Sequence, residues 1–296
     1  GERPEPLNCP VRVVVRFRPP VSLDERQELR PAFIADGSGS VESADLQQRF
    51  HFDRTFSHDA AQEAVYDDVG RPIIDDVLDG YNGTILAYGP TGSGKTYCMF
   101  GPPGPHTADL QGLVPRAVRQ VFDHVAALSD APSSSSSAPP SSGGGTGANA
   151  SGGSAAVQLA AAPLASAAGE LTLECSFFEV YCEQLRDFIR PKNQNLQVKE
   201  MPQGGFCVEG LTYKAVTSAN EALQILRAGL RMRAAANTRL NQHSSRSHAI
   251  FALSVYHKCP GGAVERHRKL TLVDLAGSEK VHKSGSAGEM LEEAKK

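Results

Sequence analysis

The sequence predicts an α/β domain, a central mixed β-sheet flanked by helices on both faces. Three observations carry that prediction. Apolar, β-branched runs alternate along the chain with segments of helical spacing, as strands and the helices covering them do in layered folds. A glycine-rich loop at residues 89–96 stands between one such run and a helix start. The chain has 296 residues, 40% hydrophobic and 21% charged, an ordinary globular composition with enough length to bury a substantial core.

The elements follow in order. Residues 11–17 are β-branched and read as a buried strand, and residues 49–56 alternate and read as a second. Residues 62–78 carry Ala64, Val65, Val69, Ile73, Ile74, Val77 and Leu78 at helical spacing, with Pro72 marking a kink or break. Residues 83–88 form a short apolar strand entering the glycine loop. A helix begins at Lys95 and stops within a turn or two at Gly101. Residues 113–128 form another helix. Residues 171–181 read as a long strand. Ser218 caps a helix running to about Ala236, and Glu221 three residues on completes a capping box. Residues 249–257 and 268–274 are two further strands.

Between these halves, residues 131–169 are a 39-residue stretch in which 33 are Ala, Ser, Gly or Pro and none is charged. It has too little apolar bulk to offset its ordering entropy and reads as a flexible insertion, not a domain. Setting it aside leaves 257 of 296 residues, the size of one large domain at 11–296, preceded by an extension at 1–10. With 30 basic against 33 acidic side chains, a net charge of −3, the surface as a whole is not built for nucleic acid. No apolar run approaches the roughly 18 residues of a membrane span. The six cysteines form no C-x-x-C pair and read as free thiols, not a metal site.

Gly89-Pro90-Thr91-Gly92-Ser93-Gly94-Lys95-Thr96 fits G-x-x-x-x-G-K-[ST]. Glycines let the backbone curl until successive N–H groups face phosphate oxygens, and the following helix adds its positive end. Lys95 would reach the β- and γ-phosphates, and the Thr96 hydroxyl would bind Mg²⁺. Pro90 removes one N–H early in the loop, where little is lost. Two more segments complete a nucleotide switch. Asp274 ends an apolar strand, where a second carboxylate near Mg²⁺ belongs, and Gly277 and Glu279 follow it. Asn241-Gln242-His243-Ser244-Ser245-Arg246-Ser247-His248 places two hydroxyls and a guanidinium ahead of a strand, groups that can coordinate a metal, pass a proton or pair with phosphate charge.

Together these motifs resemble the kinesin motor domain. Residues 89–96 resemble its P-loop, 241–248 its switch I, and 274–279 its switch II. Arg16-Phe17-Arg18-Pro19 is similar to its adenine-pocket motif, and Gly80-Tyr81-Asn82-Gly83-Thr84 leads into the P-loop as in that family. The resemblance implies a P-loop NTPase fold and a microtubule-stimulated ATP hydrolase with ATP and Mg²⁺ as cofactors and the tubulin polymer as partner. It also implies a cytoplasmic, microtubule-associated protein with no nucleic-acid partner and no membrane insertion. Under that resemblance Pro19 and Tyr97 flank the adenine, with Arg16 and Arg18 nearby. Lys95 and the loop amides hold the phosphates, Thr96 and Ser245 bind Mg²⁺, and Asp274 stands behind a coordinated water. Ser244 and Glu279 position and deprotonate the attacking water, Gly277 contacts the γ-phosphate, and Arg246 pairs with Glu279 to close the switches. Ser247 and His248 are read as structural hydrogen-bonding groups.

Lys192, Lys199, Lys280, Lys283, Lys295 and Lys296 are candidates for the acidic tubulin surface. Two departures stand out: Pro90 where the family usually has Gln, and no counterpart of the family's switch II helix and last strand, so the 296 residues are expected to be a piece of a longer motor polypeptide. Two other readings stay open at this point. One is a non-motile microtubule-binding module or inactive fragment that holds nucleotide without cycling. The other is a nucleotide switch for a different partner.

Overall fold

A computed structural model describes residues 11–19, 33–35, 39–43, 48–104, 106–130, 170–193, 195–202, 205–239, 245–258 and 264–278. In chain order the strands are β1 (Val14–Arg16), β2 (Phe33–Ala35), β3 (Ser40–Ser43), β4 (Arg49–His51), β5 (Arg54–Phe56), β6 (Gly83–Ala87), β7 (Glu170–Tyr181), β8 (Gln184–Asp187), β9 (Gln197–Glu200), β10 (Phe206–Glu209), β11 (Lys214–Val216), β12 (His248–Lys258) and β13 (Val264–Asp274). The helices are α1 (Gln62–Val65), α2 (Arg71–Asp79), α3 (Lys95–Phe100), α4 (Leu113–Asp130) and α5 (Ala219–Arg239). No described helix is long and apolar enough to cross a membrane.

The main sheet runs β11-β7-β12-β13-β6, with β8 also on β7. The long strands β7, β12 and β13 are antiparallel neighbours, whereas β13 and β6 are parallel, so the sheet is mixed. Side chains alternate across a strand. Leu173, Cys175 and Phe177 of β7, Phe251, Leu253 and Val255 of β12, Leu270 and Leu272 of β13 and Ile85 of β6 therefore share one face. There they join Ile74, Val77, Met99, Val114, Val118, Val121, Leu223 and Leu226 from the helices in one buried core. Burial pushes the Cys175 thiol up to about 12, which leaves it an inert core group.

Several predicted elements are cut differently. The strand expected at 11–17 narrows to β1, with Val11 87% and Val13 49% exposed; among the described residues it pairs with β5 alone, so it is not the buried strand its composition suggested. The run at 49–56 splits, because the Phe52 N–H turns to Gly39 O and the Asp53 N–H to Val13 O, while Asp53 Oδ2 accepts from the Val13 N–H. The helix expected at 62–78 is α1, a π-helical turn at Tyr66–Gly70, then α2. Pro72 lies in the first turn of α2, where its missing N–H costs nothing. At the start of α5 Ser218 Oγ accepts from the Glu221 N–H, but the Glu221 carboxylate accepts from the Thr217 N–H, one residue earlier than a standard capping box.

Helix α5 approaches β7 closely. Ala222, Leu226, Gly229 and Arg233 occur at helical spacing and are buried as one stripe. A Cβ on Gly229 would fall 2.3 Å from Phe177 Cδ1. The Phe177 ring cannot yield, since the Phe188, Phe251 and Phe100 rings lie 4.9, 5.8 and 6.2 Å from it. Alanine at 229 gains about 1 kcal/mol of helix propensity, and overpacking costs about 1–3 kcal/mol. We therefore expect Gly229→Ala to lower the thermal unfolding midpoint by a few degrees, checked by circular dichroism melting; an unchanged or raised midpoint would show that α5 can back away from β7.

Candidate active site

The loop between β6 and α3 has its glycines where the backbone needs them: Gly92 and Gly94 take φ of +79° and +98°, conformations open to glycine and strained for other residues. The loop lines a cleft of about 730 Å³ together with Arg16, Arg18, Pro19, His58, Gln62, Tyr97, Leu110 and Ser245. Lys95 Nζ donates to Gly89 O and Pro90 O, each at 2.9 Å. This folds the ammonium over the loop that carries it. Arg18 donates to Gly92 O.

Arg16, expected near the base, lines the cleft with Pro19 and Tyr97 and is held there by several neighbours. Its guanidinium donates to Gln62 Oε1 at 2.6 Å, Ala60 O at 2.9 Å and Cys98 Sγ at 3.2 Å, and lies 5.5 Å from the centre of the Tyr97 ring. Gln62 itself is buried and its amide donates to Tyr97 O at 2.7 Å. Gln62, which the motifs did not single out, thus ties β1 to α3 at the mouth of the cleft. Its only sequence signal is a polar residue at the start of an apolar-periodic segment.

The β13 strand end delivers Asp274 to the loop because its register with β6 sets Asp274 beside Ala87, two residues before Gly89. Thr96 Oγ1 donates to Asp274 Oδ2 at 2.7 Å. The backbone after Asp274 docks on the other segments: the Gly277 N–H donates to Ser245 O at 2.7 Å, and the Ser278 N–H to Gly89 O at 3.0 Å. The Ala276 N–H donates to His248 Nδ1 at 3.1 Å. Burial holds the His248 imidazole below its usual range, with Arg233 acting in the same direction and Asp274 opposing. The neutral ring is the form that accepts this bond. The structure thus brings Thr96, Ser245, Asp274 and Gly277 together and gives His248 a hydrogen-bonding position, whereas Ser247 takes part through its backbone carbonyl and its buried hydroxyl has no hydrogen-bond partner among the described residues. Ser244 and Glu279, with Lys280, Lys283, Lys295 and Lys296, lie outside the described residues. Of the remaining lysines, Lys192 is exposed and Lys199 pairs with Glu209 at 2.6 Å.

Arg233 is the main residue that motif reading missed. Only 3% exposed, it donates from Nη1 to Asp274 Oδ2 at 2.6 Å and from Nη2 to Ser247 O at 3.2 Å, and its Nε is 3.6 Å from Glu179 Oε1. Glu179 is itself paired with Arg186 at 3.4 Å. The signal for Arg233 was present: an arginine on the apolar stripe of α5, where only a satisfied charge survives burial.

A family model for the kinesin motor domain matches residues 23–296. The chain is 35% identical to a kinesin heavy chain of Botryotinia fuckeliana, covering 97% of this chain and 28% of that protein. It is 36% identical to kinesin-like protein 3 of Schizosaccharomyces pombe, covering 97% of this chain and 45% of that protein. A solved structure of a fast kinesin, described for its ATPase mechanism and interactions with microtubules, matches with a TM-score of 0.75 and 36% identity over 96% of this chain and 70% of that one. The chain spans little more than a quarter of the kinesin heavy chains it matches. The loop, the two segments packed against it and these matches agree: the chain belongs to the kinesin motor domain family, a fold that binds nucleotide.

Proposed function

We propose that this chain is a microtubule-stimulated motor head that binds ATP with Mg²⁺ and couples hydrolysis to microtubule binding and movement in the cytoplasm. The observation that carries this reading is the contact of Thr96 Oγ1 with Asp274 Oδ2 at 2.7 Å, which joins the phosphate loop to the strand end that begins switch II. A hydroxyl that donates its proton to a carboxylate keeps its lone pairs for a metal ion. Asp274 Oδ1 is a buried acceptor without a hydrogen-bond partner among the described residues, which fits a hydrated cation beside it. Hard oxygen ligands of this kind suit Mg²⁺, whose charge, when bound, offsets that of the phosphates.

In this reading Thr96 and Ser245 hold the metal, with Asp274 behind them. Lys95 would leave the Gly89 and Pro90 carbonyls for the β- and γ-phosphates, which the amides of Thr91, Gly92 and Gly94 would also hold, joined by the Ser93 N–H once it leaves Pro90 O, to which it donates at 3.2 Å. Pro19 and Tyr97 flank the adenine, with Arg18 close by and Arg16 bracing Tyr97. The Gly277 N–H moves from Ser245 O to the γ-phosphate. Ser244 orients the attacking water and passes its proton toward Glu279, and Arg246 closes on Glu279 to bring the switches together. The match to a kinesin described by its interactions with microtubules supports the partner, and no observation favours a non-cycling module.

Phosphate release measured with and without microtubules tests the whole reading: turnover should rise at least tenfold with polymer, and bound nucleotide with no polymer-dependent turnover would overturn it. Lys95→Ala should weaken nucleotide binding about 10- to 100-fold, the loss of a charge-assisted contact, measured by fluorescent-nucleotide titration. Glu279→Ala should leave that titration little changed while stimulated turnover falls about 100-fold or more, the range for loss of a general base.

The switch contact at His248 also sets a pH dependence. Because the folded state depresses the pKa of His248, the unfolded chain binds the proton first as pH falls below about 6.5. Stability contributed by the neutral ring is therefore full above that pH and lost below it. Thermal midpoints should stay level between about pH 6.5 and 8 and fall below about pH 6.5. His248→Asn, which keeps an acceptor for the Ala276 N–H, should flatten part of that fall; the remainder includes His267, whose pKa is lowered in the same direction chiefly by burial.

A further inference from the structure

We propose that Arg233 is a positioning residue that joins switch I to switch II beneath the nucleotide and thereby sets how tightly the site holds Mg²⁺; this rests on the nucleotide-and-Mg²⁺ reading above. One guanidinium on α5 touches three separate elements. It meets Asp274 Oδ2 at the start of switch II at 2.6 Å, the Ser247 carbonyl of switch I at 3.2 Å, and Glu179 of the long strand β7 at 3.6 Å.

The sheet is built to receive it. Ala249 of β12 pairs with Glu179 on one side and with Asp274 on the other, so the three side chains rise from one row of the same face. Ala249 is fully buried and small, and it leaves space between the two carboxylates for the guanidinium. One helical turn before Arg233, Gly229 brings α5 against Phe177, two residues before Glu179 on the same face of β7.

The consequence for Asp274 is orientational. Arg233 and Thr96 both donate to Oδ2, and Oδ1 is left as the oxygen without a hydrogen-bond partner among the described residues. Without the guanidinium, Oδ2 loses its donor from α5 and the rotamer its hold on that side. A planar five-donor fork can meet three acceptors from three directions, whereas an ammonium is a point charge on a flexible stem. Arg233 touches neither nucleotide nor metal in this scheme; it acts through Asp274 and Ser247.

The test is the free Mg²⁺ concentration needed to retain fluorescent ADP on the chain, measured by chelator titration, alongside the thermal midpoint of each variant. Arg233→Lys should raise that concentration about tenfold, the lower end of what a disturbed outer partner costs a metal site, and should speed ADP release by a similar factor at fixed Mg²⁺. Glu179→Gln, which leaves Arg233 in place but loosens its anchor, should shift both in the same direction by about threefold, less than the direct change. If the variants melt at lower temperature with Mg²⁺ dependence and ADP release unchanged, Arg233 is a folding strut only and the proposal is overturned. Should Arg233→Lys fail to fold, Glu179→Gln decides alone: an unchanged Mg²⁺ midpoint overturns the proposal and a raised one upholds it. Absence of Mg²⁺-dependent ADP retention in the unaltered chain would overturn the nucleotide reading itself.

Discussion

One carboxylate oxygen, Asp274 Oδ2, accepts both the Thr96 hydroxyl and the Arg233 guanidinium. Much of the site depends on that double contact. Asp274 is 1% exposed, and a charge so placed persists only with partners of good geometry; removing one partner of a buried pair typically costs about 3–5 kcal/mol. The partners come from opposite sides. Thr96 belongs to the helix that follows the glycine loop, and Arg233 to the long helix leading into switch I. Placing both on one oxygen requires β13 to lie between β12 and β6 in this register, with Ala249 and Ala87 beside Asp274.

The core makes that register stiff. Phe177 is enclosed by Phe100, Phe188 and Phe251, and the absent side chain at Gly229 lets α5 approach it closely. The same stripe of α5 that packs on the aromatics reaches Glu179 and Asp274 one turn later. Packing energy and switch geometry thus share one helix face: apolar where it meets Phe177, charged where it meets the row of carboxylates.

Legibility in the sequence followed the range of the interactions. The glycine loop, the strands ending at Ala87 and Asp274 and the helices starting at Lys95 and after Ser218 rest on local patterns, and the structure has them. The run at 49–56 has strand-like alternation but breaks because Asp53 meets Val13, forty residues away. The segment at 62–78 has one continuous helical period, yet it holds a π-helical turn at Tyr66–Gly70, where Gly70 lies against the Tyr66 ring. The hairpin of β9 and β10 was not predicted, and its residues are mostly exposed, so hydrophobic patterning carries little of its signal. Gln62 and Arg233 are single polar residues on otherwise apolar faces, and spacing alone does not say what they meet.

By itself the sequence determined the fold class and the glycine-rich loop, each set by contiguous strings whose chemistry depends on near neighbours, while the segments at 241–248 and 274–279 stood out through their resemblance to the switches of the kinesin motor domain. Tertiary structure decided which groups share Asp274, how Arg16 is engaged, and that Arg233 joins Asp274 and the Ser247 carbonyl to Glu179 of β7. Those contacts link residues 41 and 178 positions apart in the cases of Arg233 and Thr96 with Asp274. They exist only because strand register and helix packing bring together side chains that no local pattern connects.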